Sequence, residues 1–327
     1  MKVLVTGATG LLGANVVETL LARGKDVRVL VRASADLRAL QGLDPEVFRG
    51  DILDKESLSS AMKGCDSVVH AAANTSQWPT GFEFYEPVNV TGTRNVMEVC
   101  RERDVSRIVY VSSANAFGHG SKEKPGTELS EFQGFHFGSG YMVSKFLAQK
   151  IVLEEVGKKG TPAVIVNPAF MIGARDARPS SGRIILMGYG RKTRLFPDGG
   201  KNFIHVADAA AAVCNALERG RVGECYLLAN ENLTYREFYE KLDLVDIQRP
   251  VMVKVPVRVL RAAGWAGAVF EGITGRPAPL NHVNAKLLTI GNYYSGEKAV
   301  AELGLPRTPI EQAISDALAW FRDQKMI

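Results

Sequence analysis

The sequence is poor in the residues that mark several large functional classes. It has four cysteines in 327 residues, Cys65, Cys100, Cys214 and Cys225, far apart and without a CxxC pair. Such spacing supports neither a disulfide framework nor a thiolate metal site, and it predicts reduced, packed thiols. No metal site is expected. No apolar run approaches the roughly 20 residues of a membrane span. The opening Met1-Lys2-Val3-Leu4-Val5-Thr6-Gly7 is shorter than the apolar core of a secretory signal, about 7–15 residues. The expected location is the cytoplasm. A dense basic stripe is also missing: 40 Lys and Arg nearly balance 35 Asp and Glu, for a net charge of +5. Nucleic acid is therefore not an expected partner, while an anionic small molecule fits the balance. The apolar fraction of 46% excludes disorder and fibre, leaving one large globular domain or two.

Short β-branched runs alternate with helical patterns through the first two-thirds, as in βαβ units on a parallel sheet. Strands are expected at Lys2–Thr6, Val27–Val31, Val47–Phe48, Ser67–His70, Arg107–Val111 and Ala163–Val166. Helices are expected over residues 11–23, 36–40, from Asp54 onward, 85–103 and 139–156. The fold class is α/β, a doubly wound parallel sheet over residues 1–170. Residues 171–327 read as a smaller, mostly helical C-terminal substrate lobe, with a segment around 200–230 returning to the first domain. Within it Phe203–Val206 reads as a strand, and Asp208 as the cap of the helix to Glu218.

The loop Thr6-Gly7-Ala8-Thr9-Gly10-Leu11-Leu12-Gly13 stands between the first strand and the first helix. There, glycines permit a tight turn, let backbone approach a pyrophosphate, and let helix and strand pack closely. The helix N-terminus adds free N–H groups and a partial positive charge. A dinucleotide is the expected ligand, bound by Gly7, Thr9, Gly10, Leu11, Leu12 and Gly13. An acidic residue usually closes the second strand to bind the ribose 2′-OH; here the chain reads Val31-Arg32-Ala33. Arg32 can take a 2′-phosphate, so NADP(H) is favoured and NAD(H) stays possible. Alternatively, Arg32 is a solvated surface residue. Asp51, followed by Ile52, is either an adenine contact or a loop cap. Ala71, Ala72 and Ala73 either let the cofactor lie close or simply pack.

Tyr141 and Lys145 fall four apart, on one face of a helix. A tyrosine with its ordinary pKa of about 10 is a poor base at neutral pH, and a nearby fixed cation lowers that value. The pair suits general acid–base work. Ser113 follows the strand 107–111, at the strand end that faces the ligand crevice in such sheets, where its hydroxyl can hold a substrate oxygen.

The wording TGATGLLG, DIL after the third strand, HAAA, NVTGTRNV, YVSSANAFG, YMVSK and NPAFMIG resembles extended short-chain dehydrogenases/reductases. The resemblance covers residue 1 to about 230, and NFIHVAD, GECYLL and SGEKAVAELG are similar too. It implies a Rossmann fold and hydride transfer between nicotinamide C4 and a carbonyl or carbinol carbon of a small molecule. Tyr141 would give or take the proton, Lys145 would hold the nicotinamide ribose and tune Tyr141, and Ser113 would polarise the substrate oxygen. Pro168, Phe170 and Met171 would touch the nicotinamide amide, Asn89 would be framework, and a homodimer would form through helices 85–103 and 139–156.

Arg32, Asn167-Pro168 and FPDGGKNFIHVAD are similar to the dihydroflavonol-reductase and 3β-hydroxysteroid-dehydrogenase-like branch, which implies a free, apolar substrate. Hopanoid-associated sugar epimerases share the wording. Nucleotide-sugar epimerases, which retain NAD, commonly carry an acid at position 32 and often an arginine near Lys201-Asn202. Dinucleotide-sensing regulators of the superfamily are a further alternative, though loss of the Tyr-Lys pair would mark them. Phe132, Phe135 and Phe137 either wall the substrate pocket or pack their loop. The apolar stretch 255–270, bearing Arg258 and Arg261, reads as a core or dimer helix, or as an interfacial one.

Overall fold

The structure is a computed structural model that describes residues 1–76 and 78–327. Its first part runs β1 (Lys2–Thr6), α1 (Leu11–Ala22), β2 (Asp26–Val31), β3 (Glu46–Arg49), α2 (Lys55–Met62), β4 (Ser67–His70), α3 (Gly92–Glu102), β5 (Arg107–Val111), α4 (Gly140–Lys159) and β6 (Ala163–Pro168). Next come β7 (Phe170–Ile172), α5 (Arg183–Gly188), β8 (Thr193–Phe196), β9 (Gly200–His205), α6 (Val206–Arg219) and β10 (Cys225–Leu228). The chain ends with β11 (Glu231–Thr234), α7 (Tyr235–Asp246), β12 (Val251–Lys254), α8 (Val257–Thr274), α9 (His282–Leu287), β13 (Gly291–Asn292), α10 (Glu297–Leu303) and α11 (Ile310–Asp323).

A seven-stranded sheet in the order β10-β6-β5-β4-β1-β2-β3 forms the centre, with every neighbour parallel. Its inner strands are almost wholly buried, as strands covered on both faces must be. On one face α1 and α6 interlock through Val16, Val17, Leu20, Val213 and Leu217. On the other, Leu58 of α2, Met97 of α3 and Val152 of α4 close the second core. Strand order reverses between β1 and β4, so a crevice opens at their C-terminal ends, where such sheets bind ligands.

Residues 206–228 return to this sheet, α6 covering it and β10 pairing with β6. The C-terminal lobe holds strands as well as helices. β9 lies between β11 and β13 and also pairs with β7, while β8 and β12 make a separate ribbon. Phe203, Phe238 and Phe321 form the heart of the lobe.

Three local elements differ from expectation. The helix expected at 36–40 is a single 3-10 turn, Arg38–Leu40. There the Asp36 carboxylate binds both the backbone N–H and the guanidinium of Arg38, and such local bonds compete with a helix. The long helix expected at 85–103 opens as a π-turn, Pro87–Thr91, before α3. His205, rather than Asp208, caps α6: its ring accepts from Ala207 N–H at 2.9 Å. Asp208 is the third residue of the helix and accepts from the backbone and hydroxyl of Thr308, both at 2.8 Å.

Candidate functional site

The glycine loop lies at the crevice. Gly7 adopts φ +71°, and a Cβ there would sit 2.5 Å from Ala72 N, so β1 can approach the end of β4 only without a side chain. A Cβ on Gly13 would strike the Gly7 carbonyl, so this glycine lets α1 meet the strand. Gly10 is exposed and caps α1 with no side-chain bond, leaving the first helical N–H groups of Leu11 and Leu12 open to a ligand. Ala71, Ala72 and Ala73 run beside the loop, partly exposed. Below them His70 is fully buried between the hydroxyls of Thr6 (2.8 Å) and Thr93 (3.1 Å). Burial pulls its pKa down to about 3, so it stays neutral and structural.

A groove of open helix N–H groups, small side chains and close-set glycines fits a dinucleotide pyrophosphate. Arg32 is exposed where β2 ends, and its side chain has no ion pair among the described residues. Arg49, at the end of β3, donates to the Arg32 carbonyl at 3.0 Å and adds a second cation that the sequence reading missed. The Asp51 carboxylate accepts from Leu53 N–H at 3.0 Å, which is the loop-cap alternative. Ile52 is buried under Gly92 of α3, and its carbonyl accepts from Asn95.

Tyr141 lies in the first turn of α4, capped by Ser139, and its ring meets Tyr85 edge-on at 6.0 Å. Burial raises its pKa, with the Ser113 hydroxyl beside it pulling the other way. The expected lowering by the lysine is not among the causes of this shift. The reason is geometric: Lys145 is buried and donates to the Val111 carbonyl at 2.8 Å, over the Tyr110 ring, rather than meeting the phenol. Burial lowers the Lys145 pKa to about 7.

Ser113 starts a 3-10 turn, and its hydroxyl accepts from Asn115 N–H at 3.2 Å. Its carbonyl accepts from Asn167 at 2.9 Å, and Asn167 also donates to Gln149 of α4 at 2.6 Å. Asn167 and Gln149 thus join β5, β6 and α4 around the Ser113–Tyr141 pair. The sequence reading took Asn167 only as a family marker; a polar residue ending a wholly buried strand was the missed signal. Asn89 donates to Ser144 of α4 at 2.9 Å and exchanges bonds with the Asn74 backbone, a framework role.

Pro168 ends β6 and Phe170 begins β7, its ring edge-on to Phe203 at 5.4 Å and close to Lys201. Met171 is partly buried beside it. Phe132 stacks on Phe146 of α4 at 4.1 Å and Phe135 packs against both, so these two hold their loop to the body. Phe137 lies beside His119 and under Lys286 of α9. Among the described residues no group of three or more His, Cys, Asp or Glu is placed to hold a metal ion.

The profile of the NAD dependent epimerase/dehydratase family matches residues 3–229. A relative from Methylococcus capsulatus, named sterol demethylase protein B, is 35% identical, with all of both chains covered. A Stigmatella aurantiaca protein, 4-hydroxy-2-methyl-3-oxo-4-farnesyl-3,4-dihydroquinoline-1-oxide ketoreductase, is 31% identical over 97% of this chain and 96% of its own. The crystal structure of gox2253 superposes with a TM-score of 0.85 and 32% identity, covering 98% of each chain.

Proposed function

The chain belongs to the NAD-dependent epimerase/dehydratase family, enzymes of the extended short-chain dehydrogenase/reductase type, and on that premise we propose that it is an NADP(H)-dependent reductase of a free, apolar ketone or aldehyde. The observation that carries this reading is the Tyr141 phenol, in the first turn of α4, beside the Ser113 hydroxyl just beyond β5. That phenol is protonated at neutral pH and lies beside the serine that would hold the substrate oxygen, so it is placed to give that oxygen a proton.

When bound, the nicotinamide supplies the hydride. Ser113, fixed by Asn167, holds the substrate oxygen and polarises its bond. Tyr141 donates its proton to that oxygen as negative charge develops there. Lys145 presents an ammonium poised near neutrality, with one of its three donors spent on Val111 and the others free for a ribose hydroxyl. Arg32, exposed at the end of β2 with Arg49 bonded to its carbonyl, would hold a 2′-phosphate, which supports NADPH as the cofactor. The names of the farnesyl-quinoline ketoreductase and the sterol demethylase protein support an apolar substrate.

Apo protein titrated with NADPH and NADH, then assayed with a panel of apolar ketones, tests the proposal. NADPH is expected to bind more tightly and to support turnover. Tyr141→Phe is expected to lose roughly 10²–10⁴ in kcat with its fold intact. Full activity in Tyr141→Phe would overturn the proton-donor role. Tightly retained NAD, indifferent to NADPH, would overturn the reductase reading in favour of an epimerase that returns hydride to its own substrate.

A further inference from the structure

Helix α8 is built the wrong way round for a soluble protein. An amphipathic helix normally turns its large apolar side chains inward. Here the inward contact is made by glycines. A Cβ on Gly264 would collide with Ala285 of α9, and one on Gly267 would collide with the Leu280 backbone. Gly264 is the buried residue of the helix. The large side chains point outward instead: Val259, Trp265, Val269, Phe270 and Ile273 are all exposed, Trp265 by 70% and Ile273 by 79%.

At about 100° per residue these five lie on one broad face, with Ala262 and Ala266 between them and Ala263 at its edge. Arg261 borders that face, Arg258 lies within it at the N-terminal turn, and Arg276 follows the C-terminal end of the helix. None of the three guanidiniums has an ion pair or side-chain hydrogen bond among the described residues. The lone acid of α8, Glu271, lies off the apolar face and accepts from Ala278 N–H at 3.1 Å. No helix of the described residues is long and apolar enough to cross a membrane.

We propose that α8 is a peripheral membrane anchor, lying in the interface of a bilayer that contains anionic phospholipid. An aromatic and aliphatic face with arginines in and beside it is the chemistry that enters the headgroup boundary, and arginines seek anionic headgroups. The charge pattern favours lipid over a second copy of the chain. A two-fold contact through this face would set these arginines near their copies, with no exposed acid on α8 to neutralise them.

The anchor also has a route to the chemistry. α8 packs on α9, and Lys286 of α9 donates to the His136 carbonyl, in the turn Gly134–Phe137 that precedes Tyr141. If the reductase proposal holds, the site opens beside the phase in which an apolar ketone dissolves. The anchor itself does not depend on that proposal.

Co-sedimentation of the full chain with vesicles tests it, using phosphatidylcholine alone and phosphatidylcholine with phosphatidylglycerol. Binding to the anionic vesicles is expected, weaker on phosphatidylcholine and weakened by salt. R258Q/R261Q should lower the partition coefficient about 25-fold, at about fivefold per arginine. W265S/F270S should abolish binding while nucleotide titration stays as in the wild type, since both side chains face solvent. Wild-type protein that ignores anionic vesicles would overturn the proposal, as would W265S/F270S that binds as well as wild type. Self-association that disappears in W265S/F270S, without vesicle binding, would overturn it in favour of a contact between copies. Vesicle binding needs no turnover, so its outcome is separate from that of the reductase test.

Discussion

Replacing Lys145 by methionine should stabilise the protein while disabling it. The ammonium is 3% exposed, bonded to one carbonyl, and has its pKa lowered from 10.5 to about 7. Because the unfolded chain binds this proton more tightly than the folded one, wild-type stability rises with pH between about 7 and 10.5. Below pH 7 the full cost of burial applies; above 10.5 the side chain is neutral in both states and the cost vanishes. At about 1.4 kcal/mol per pKa unit, the upper bound of that cost is about 4 kcal/mol at pH 7. Methionine fills a similar volume but leaves the Val111 carbonyl without its donor, a loss of about 1–2 kcal/mol. Lys145→Met should therefore be about 2–3 kcal/mol more stable than wild type in urea at pH 6–7. The advantage should shrink steadily and disappear or reverse by about pH 10. Other titrating groups are common to both proteins, so the difference isolates Lys145. Activity should fall by roughly 10²–10⁴. A variant less stable than wild type at pH 6, or a difference that ignores pH, would refute the account of a buried, solvent-deprived ammonium.

Two further outcomes follow from the cofactor groove. Gly7→Ala combines φ +71° with a Cβ 2.5 Å from Ala72 N and should lose about 2–5 kcal/mol of unfolding free energy. Gly24→Ala, at φ +66° with open space around it, should lose only about 1–2 kcal/mol; equal losses would show that the close approach of β1 and β4 is not what demands the glycine. Arg32→Glu should weaken NADPH binding about 10–100-fold with NADH little changed, measured by fluorescence titration, and an unchanged ratio would remove Arg32 from the 2′-phosphate assignment.

The central sheet was legible because its signals are local. A buried parallel strand is a continuous apolar run, and the loop Thr6–Gly13 announces both the turn after β1 and the start of α1. The lobe was not legible in the same way. β13 is two residues long and pairs with β9 more than eighty residues earlier, so no window of sequence contains both partners. Tyr141, Lys145 and Ser113 were singled out as candidates by their order along the chain and their family wording. What the sequence left out was the direction of the lysine. Spacing of four puts two side chains on one face, but the Val111 carbonyl competes for the ammonium and takes it. The apolar stretch 255–270 was readable as apolar but not as outward-facing, because only the glycine contacts with Ala285 and Leu280 reveal which face turns inward.

The site is assembled from elements that the large sheet holds rigidly. Asn167, next to last in β6, binds the Ser113 carbonyl just beyond β5, while Gln149 and Ser144 tie α4 to Asn167 and Asn89. The elements that carry the three candidate catalytic side chains are therefore tied together by buried polar bonds, each of which costs about 1–3 kcal/mol to leave unmade. α8 and the loop bearing Phe135 lie on the outer side, where side chains are exposed and glycines make the close contacts. This division separates the two proposed jobs physically. On the proposed reading, substitutions that tune membrane attachment can accumulate on the exposed face of α8 without touching the buried bonds of Asn89, Gln149 and Asn167. Substitutions at Asn89, Gln149 or Asn167 cannot, because each of those side chains is buried and bonded to the frame of the pair.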